Sequence, residues 1–176
     1  MPLSNSISSR LQFQHETIDE LIRGYGEEQL KIRSVPDKWS PFENIAHLVL
    51  YQLLFQQRIV RILIESSPSF RRYVADNDPA FDEYLQRPLE QLMEILYSGR
   101  KQIYQQLHSI SGHQLLLTGQ HPVYGSLSLV QWTEFFLLHE AHHLFTLFKL
   151  LNGGRLRDTE IEEKTLWQYF RVPMDE

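Results

Sequence analysis

Apolar positions recur every three to four residues along four long segments of the chain, the period of helices that bury one face. The first segment spans about residues 6–25 and carries Ile7, Leu11, Ile18, Leu21 and Ile22 on one stripe. Gly24 and Gly26 mark its end, because glycine accepts the left-handed turn that closes a helix. The second opens at Ser40-Pro41-Phe42-Glu43 and continues to about residue 65 through Ile45, Ala46, Val49, Leu50, Leu53 and Leu54. Serine can cap a helix, proline suits its first position, and Glu43 can reach back to the free amide of Ser40. The third starts near Pro88, follows Leu89, Leu92, Leu96, Ile103 and Leu107, and stops at Ser111-Gly112. The fourth begins at a second capping box, Ser128-Leu129-Val130-Gln131, and is expected to end at Asn152-Gly153-Gly154.

Residues 66–87 hold Pro68, Asp76, Asn77, Asp78 and Pro79 and read as a long connection with a short helical turn over 81–85. Valine, isoleucine and threonine are sparse, and no alternating run lies between two turn signals, so no strand is expected. Four amphipathic helices pack most simply as an all-α four-helix bundle. Neighbouring antiparallel helices need only a short loop. The long connection between the second and third helices therefore implies a crossover and an up-down-down-up order. The bundle is assigned to residues 1–153. A tail over 154–176 is expected to add a short helix, with Thr159 and Glu162 as its cap pair and Leu166, Trp167 and Phe170 packing on the bundle or on a partner subunit.

The 176 residues suit one domain, with 42% hydrophobic and 22% charged residues, an ordinary composition for a globular protein. No apolar run approaches the roughly 20 residues that cross a bilayer, and the first ten residues lack the apolar core of a signal peptide. A cytoplasmic protein without membrane contact is expected. A net charge of −5 speaks against nucleic acid, whose binding requires phosphate neutralisation. The chain has no cysteine, which excludes disulfides, thiolate-ligated metals and a cysteine nucleophile. It does have eight histidines, and their positions carry the chemistry.

Leu129, Trp132, Phe136, His139, His143, Thr146 and Leu150 follow one another at spacings of three or four, the seam expected to face the bundle core. A histidine pair at i and i+4 lies on one helix face about 6 Å apart, near enough to share a metal ion. The bland reading is two half-buried imidazoles bonded to backbone or water. His47, about two turns into the second helix, is the natural third ligand. Three neutral imidazoles leave an ion its full charge and an open position, the layout of a catalytic site rather than a structural one. His142 projects about 60° from His139 around the helix and cannot easily share that ion. His15, Tyr51 and Trp132 are candidates for touching the ligands or the substrate. His108, His113 and His121 are expected at the surface.

Glu43, Glu140 and His142 are the candidate acid–base residues, although the capping box explains Glu43 equally well. His139-Glu140-Ala141-His142-His143 also spells the His-Glu-x-x-His pattern of zinc proteases, in which the glutamate is the base. The metzincin extension is missing, and nothing upstream reads as the sheet such enzymes use to hold a peptide. Arg71-Arg72, between Phe70 and Tyr73, is either a small basic-aromatic contact for an anion or a solvated loop.

The run Pro36-Asp37-Lys38-Trp39-Ser40-Pro41-Phe42-Glu43-Asn44-Ile45-Ala46-His47-Leu48 resembles the second-helix entry of the DinB/YfiT-like superfamily. His121-Pro122-Val123-Tyr124-Gly125, followed by residues 129–143, resembles its fourth-helix entry and paired-histidine segment. The resemblance extends over roughly residues 3–151. It implies an up-down-down-up four-helix bundle holding a divalent metal on His47, His139 and His143, with water completing the shell. Members of that superfamily include S-transferases and an isomerase that use low-molecular-weight thiols, and others are described as metal-dependent hydrolases. It therefore implies a small-molecule substrate, with a metal that lowers the pKa of a bound thiol or water. Imidazole suits zinc, nickel, iron and copper, of which zinc or nickel is expected, with a thiol as potential co-substrate and a homodimer as potential assembly. The alternatives are a non-catalytic bundle that binds a partner and, more remotely, a zinc protease.

Overall fold

The computed structural model describes residues 2–157, so the expected tail helix around Leu166 and Trp167 lies outside the described residues. The long helices are α4 (Pro41–Ile64), α6 (Leu89–Ser109) and α7 (Leu129–Arg157). Both predicted capping boxes form. Ser40 Oγ accepts from Glu43 N at 3.2 Å while Glu43 Oε2 accepts from Ser40 N at 2.6 Å. Ser128 and Gln131 exchange the same pair of bonds at 2.8 and 3.3 Å. The connection after α4 carries the short helix α5 (Pro79–Leu85), whose amide of Ala80 is capped by Asp78.

The first segment departs from a single helix. It divides into α1 (Asn5–Phe13) and α2 (Thr17–Ile22) around a tight 3-10 turn over Gln14–Glu16, with α3 (Glu27–Leu30) following. The turn lies where two polar side chains enter the bundle. Gln14 Nε2 donates to the Leu137 carbonyl and to Glu140, each at 2.9 Å, and His15 is buried beside Arg100. These long-range bonds outweigh the apolar period that predicts an unbroken helix. At the other end, α7 runs through Gly153 and Gly154 to Arg157 instead of stopping. Glycine permits the left-handed turn but does not impose it, at a cost of about 1 kcal/mol per interior helical position.

A hairpin also forms that the sequence pattern does not predict. Strand β1 (Thr118–His121) pairs antiparallel with β2 (Gly125–Ser128), from Thr118 opposite Ser128 to His121 opposite Gly125. Gly125 takes a positive φ of 70° at the turn, a conformation open to glycine. The strands contain little that favours β structure, and docking supplies what propensity does not. Gln120 exchanges backbone bonds with Pro68 and Phe70 in the crossover, and Trp132 Nε1 donates to the Gly119 carbonyl at 3.2 Å. A Cβ on Gly119 would come within 2.6 Å of the Phe70 ring, so the close approach requires glycine.

Cross-helix contacts give the direction of each helix. Gln52 meets Leu96 and Arg100, and Gln56 meets Gln102, so α4 and α6 run parallel. Asn44 meets His143, whereas Phe55 meets Phe136, so α4 and α7 run antiparallel. Arg10 pairs with Glu134, Gln14 with Glu140 and Tyr25 with Leu151, so the first segment runs alongside α7 in the same sense. The order is up-down-down-up, with the crossover between α4 and α6 as predicted.

The core-facing row of α7 changes partway along the helix. Leu129, Trp132 and Phe136 are buried as the seam predicts, but beyond them the buried row is Leu137, Glu140, Leu144 and Leu147. His139 and His143 lie beside that row, half-buried and turned toward α4. Among the described residues, no helix is long and apolar enough to cross a membrane.

Candidate metal centre

His47 comes from the second turn of α4, and His139 and His143 from successive turns of α7. The antiparallel packing of these helices brings one ring nitrogen from each histidine within 4.8 Å of the others. The rings are close, with centroids 4.5 Å apart for His47 and His143, 4.7 Å for His139 and His143, and 5.1 Å for His47 and His139. His47 Nε2 and His139 Nε2 are 3.2 Å apart. Two nitrogens held about 2.0–2.1 Å from one ion at a tetrahedral angle are about 3.3 Å apart. The observed separation therefore suits a shared ion.

Burial holds all three imidazoles neutral. It pushes His47 down to about 4, against a small opposing pull from Asp76. It takes His143 to about 3 and His139 to about 2, with the neighbouring histidines adding to the effect. A metal needs the unprotonated ring, and here that form prevails at neutral pH. The buried Nδ1 atoms of His47 and His139 have no hydrogen-bond partner. Such unsatisfied atoms are uncommon in buried sites.

The third ring is oriented from behind. His143 Nδ1 lies 2.8 Å from Asn44 Oδ1, and Asn44 Nδ2 donates to the Ser40 carbonyl at 2.9 Å. The amide is thereby oriented to accept, which places the proton on His143 Nδ1 and leaves Nε2 free as a ligand. Asn44 is absent from the sequence-based candidates. Its signal is its place one turn before His47 on the same helix. Aromatic rings wall the cluster. Tyr51 stacks on His139 at 3.7 Å, Tyr73 on His47 at 5.8 Å, and Trp39 stands 5.0 Å from His47 and 6.2 Å from His143.

The remaining candidates are distributed differently. Glu43 serves its capping box and also accepts from Arg33 Nε at 2.9 Å. Burial pushes its carboxyl up, but the bonds from Arg33 and Ser40 outweigh that and hold it below its usual range. Glu140 is almost fully buried in an ion pair with Arg100, which also takes Gln52 Oε1 at 2.9 Å. Its carboxylate is committed on the far side of the His-Glu-x-x-His pattern from the histidines. His15 belongs to that same network and packs 4.9 Å from Tyr97. Trp132 is buried under the hairpin, away from the three histidines. His121 is not the plain surface residue expected, because its ring packs among Tyr124, Trp132 and Phe135. His108 and His113 are exposed as predicted.

A pocket of about 900 Å³ opens beside the cluster, lined in part by Trp39, Asn44, Asp76, His142, His143 and Lys149. His142 is exposed and stands edge-on to His143 at 5.3 Å. Of the three candidate acid–base residues, it alone lines this pocket. The arrangement brings three neutral nitrogen donors together and sets one of their rings, His143, in the wall of an open pocket large enough for a small molecule.

A family model described as the DinB superfamily matches residues 10–147. No curated protein matches the sequence. Among solved structures, YfiT from Bacillus subtilis is described as a probable metal-dependent hydrolase with an unusual four-helix bundle topology. It superposes with a TM-score of 0.75 at 14% identity, over 86% of each chain. TT2238, a four-helix bundle protein, superposes at 0.59 with 20% identity over 81% of this chain and 96% of that one. An uncharacterized protein from Clostridium difficile 630 superposes at 0.61 with 14% identity over 89% and 95% of the two chains. Likeness at these identities is likeness of fold.

Proposed function

This chain belongs to the DinB superfamily, and on that premise we propose that it is a metal-dependent enzyme acting on a small molecule, with His47, His139 and His143 holding a divalent ion, zinc or nickel. The observation that carries the reading is the convergence of three neutral imidazole nitrogens, from one buried and two half-buried rings, within 4.8 Å of one another. Such an ion, when bound, supplies Lewis acidity and lowers the pKa of a water or thiol placed on it.

The chain's own residues account for the rest. Asn44 fixes the tautomer of His143. Trp39, Tyr51 and Tyr73 restrict ring movement and shield the ring faces they pack against. His142 is the group at the pocket rim that can take up or return a proton as substrate reacts. Hydrolysis and S-transfer from a low-molecular-weight thiol both fit this arrangement, and the description of YfiT as a probable metal-dependent hydrolase favours hydrolysis. The engagement of Glu140 with Arg100 removes the base that a zinc protease would need.

The test is elemental analysis of the purified chain and of His47→Ala, His139→Ala and His143→Ala. About one ion per chain, lost or greatly weakened in each variant, is expected. Parallel assays on small esters and amides, and on thiols with electrophiles, then separate the two chemistries. Absence of bound metal after reconstitution with zinc or nickel overturns the reading.

A further inference from the structure

Among the described residues, four buried side-chain atoms without a hydrogen-bond partner gather around Tyr51: His47 Nδ1, His139 Nδ1, Arg58 Nε and the Tyr73 hydroxyl. The two histidines belong to the metal reading, but Arg58 and the hydroxyl of Tyr73 do not. Arg58 is only 5% exposed. Among the described residues no carboxylate pairs with it, and its two hydrogen bonds are long, 3.4 Å to the Tyr51 hydroxyl and 3.5 Å to the Arg71 carbonyl. Its guanidinium lies 5.1 Å from the ring centre of Trp132 and 5.6 Å from those of Tyr51 and Phe70. Arg100, buried to the same degree, shows the usual arrangement, with Glu140 across two nitrogens and Gln52 on the third. Aromatic faces attract a cation but do not replace a counter-ion.

The surroundings of Arg58 add positive charge. The hairpin holds Phe70 against α4, and with it the segment containing Arg71 and Arg72, both exposed. Arg61, over the same Phe70 ring, is matched by Glu65. Asp78, the acid near Tyr73, caps α5 through Ala80 N at 3.0 Å. Burial, with Asp78 nearby, pushes the Tyr73 phenol above its usual value and keeps it an O–H donor. Arg58 is thus an unmatched cation one aromatic ring away from the histidines, since Tyr51 touches both Arg58 and His139.

We propose that Arg58, with the hydroxyls of Tyr51 and Tyr73, forms a carboxylate-binding subsite beside the three histidines, and that the substrate of this protein carries a carboxylate. One guanidinium and two phenols offer a single positive charge among aromatic rings, which match a planar carboxylate group better than a tetrahedral, dianionic phosphate. The substrate statement rests on the proposed enzymatic reading, whereas anion binding at Arg58 stands apart from the metal.

The experiment is isothermal titration calorimetry of the full chain with succinate, succinamide and inorganic phosphate, before and after loading with zinc, with zinc content measured in parallel. Succinate is expected to bind at least tenfold tighter than either other compound in both forms. Tyr73→Phe is expected to weaken succinate at least tenfold at unchanged zinc content, the loss of one hydrogen bond to a charged group. Arg58→Lys, which keeps the charge but loses the fork, is expected to weaken it at least tenfold, and Arg58→Met to abolish it. Should circular dichroism show Arg58→Met unfolded, the Tyr73→Phe result decides. Equal binding of succinate and succinamide, tighter binding of phosphate, or variants that bind like the parent chain overturn the proposal. Zinc bound without a succinate signal overturns the subsite and leaves the metal reading standing. A succinate signal that depends on Arg58 in a chain that binds no zinc does the reverse.

Discussion

Asn44 shows how much of the proposed metal site depends on a residue outside its ligand set. Its Oδ1 accepts from His143 Nδ1 and its Nδ2 is tied to the Ser40 carbonyl, so the amide is oriented before any ion arrives. Asn44→Ala leaves the His143 ring free to rotate and to change tautomer, and zinc affinity is expected to fall about 10–100-fold. Competition with a chromogenic chelator reads that loss, and circular dichroism checks that the helices persist. His15 is informative in a different way, because it is buried but is not among the proposed ligands. Burial first, and then the positive charge of Arg100, lower it from 6.5 to about 4. The unfolded chain therefore binds a proton that the folded chain refuses between those values. Stability contributed by neutral His15 is present above pH 6.5 and is lost as pH falls toward 4. Urea midpoints at pH 7 and pH 5 are expected to fall further apart in the parent chain than in His15→Gln.

At the scale of elements, α7 carries two rows with different tasks. One row, with Glu140 among Leu144 and Leu147, packs into the bundle, while His139 and His143 lie beside it and face α4. The ion pair of Glu140 with Arg100 joins α7 to α6, and Gln14 and Gln52 extend it to the first segment and to α4. Rotation of α7 about its axis would turn the histidines away from His47 and break this network at the same time. Arg100→Met leaves a carboxylate buried without its cation and is expected to cost about 3–5 kcal/mol. Arg100→Met combined with Glu140→Leu, which removes both charges, is expected to recover most of that loss. Chemical denaturation of the two variants tests the pair. Glu140→Gln is expected to keep its zinc while losing stability, the mark of a residue that holds α7 in place. The hairpin has a comparable role on the other side, since its bonds to Pro68 and Phe70 fix the crossover that sets Tyr73 over His47.

At the scale of the molecule, the proposed ligands come from two helices separated by about half the chain, so metal binding and bundle stability are coupled. Zinc at 100 times its Kd is expected to add about 2.7 kcal/mol to the unfolding free energy, and a chelator is expected to remove it. His47→Ala is expected to show no such increment, and thermal melts with and without zinc measure the difference. Much of this architecture is legible in the amino-acid order. The capping boxes at Ser40 and Ser128, the apolar periods of the long helices and the length of the crossover are local signals, and they determine four helical segments and their up-down-down-up order. The i, i+4 spacing of His139 and His143 is equally local, because helix geometry alone puts both rings on one face. Other features depend on partners distant in sequence. The break at Gln14–Glu16 follows from bonds to Leu137 and Glu140, and the hairpin follows from docking on Phe70 and Trp132. The burial of Arg58 without a carboxylate, and the pairing of Glu140 with Arg100, also arise only when the helices assemble. Sequence order determined which residues share a helix face, because that is set by backbone geometry within a few turns. Tertiary structure decided which of those faces meet, and so which buried polar groups find partners and which remain free to bind a ligand.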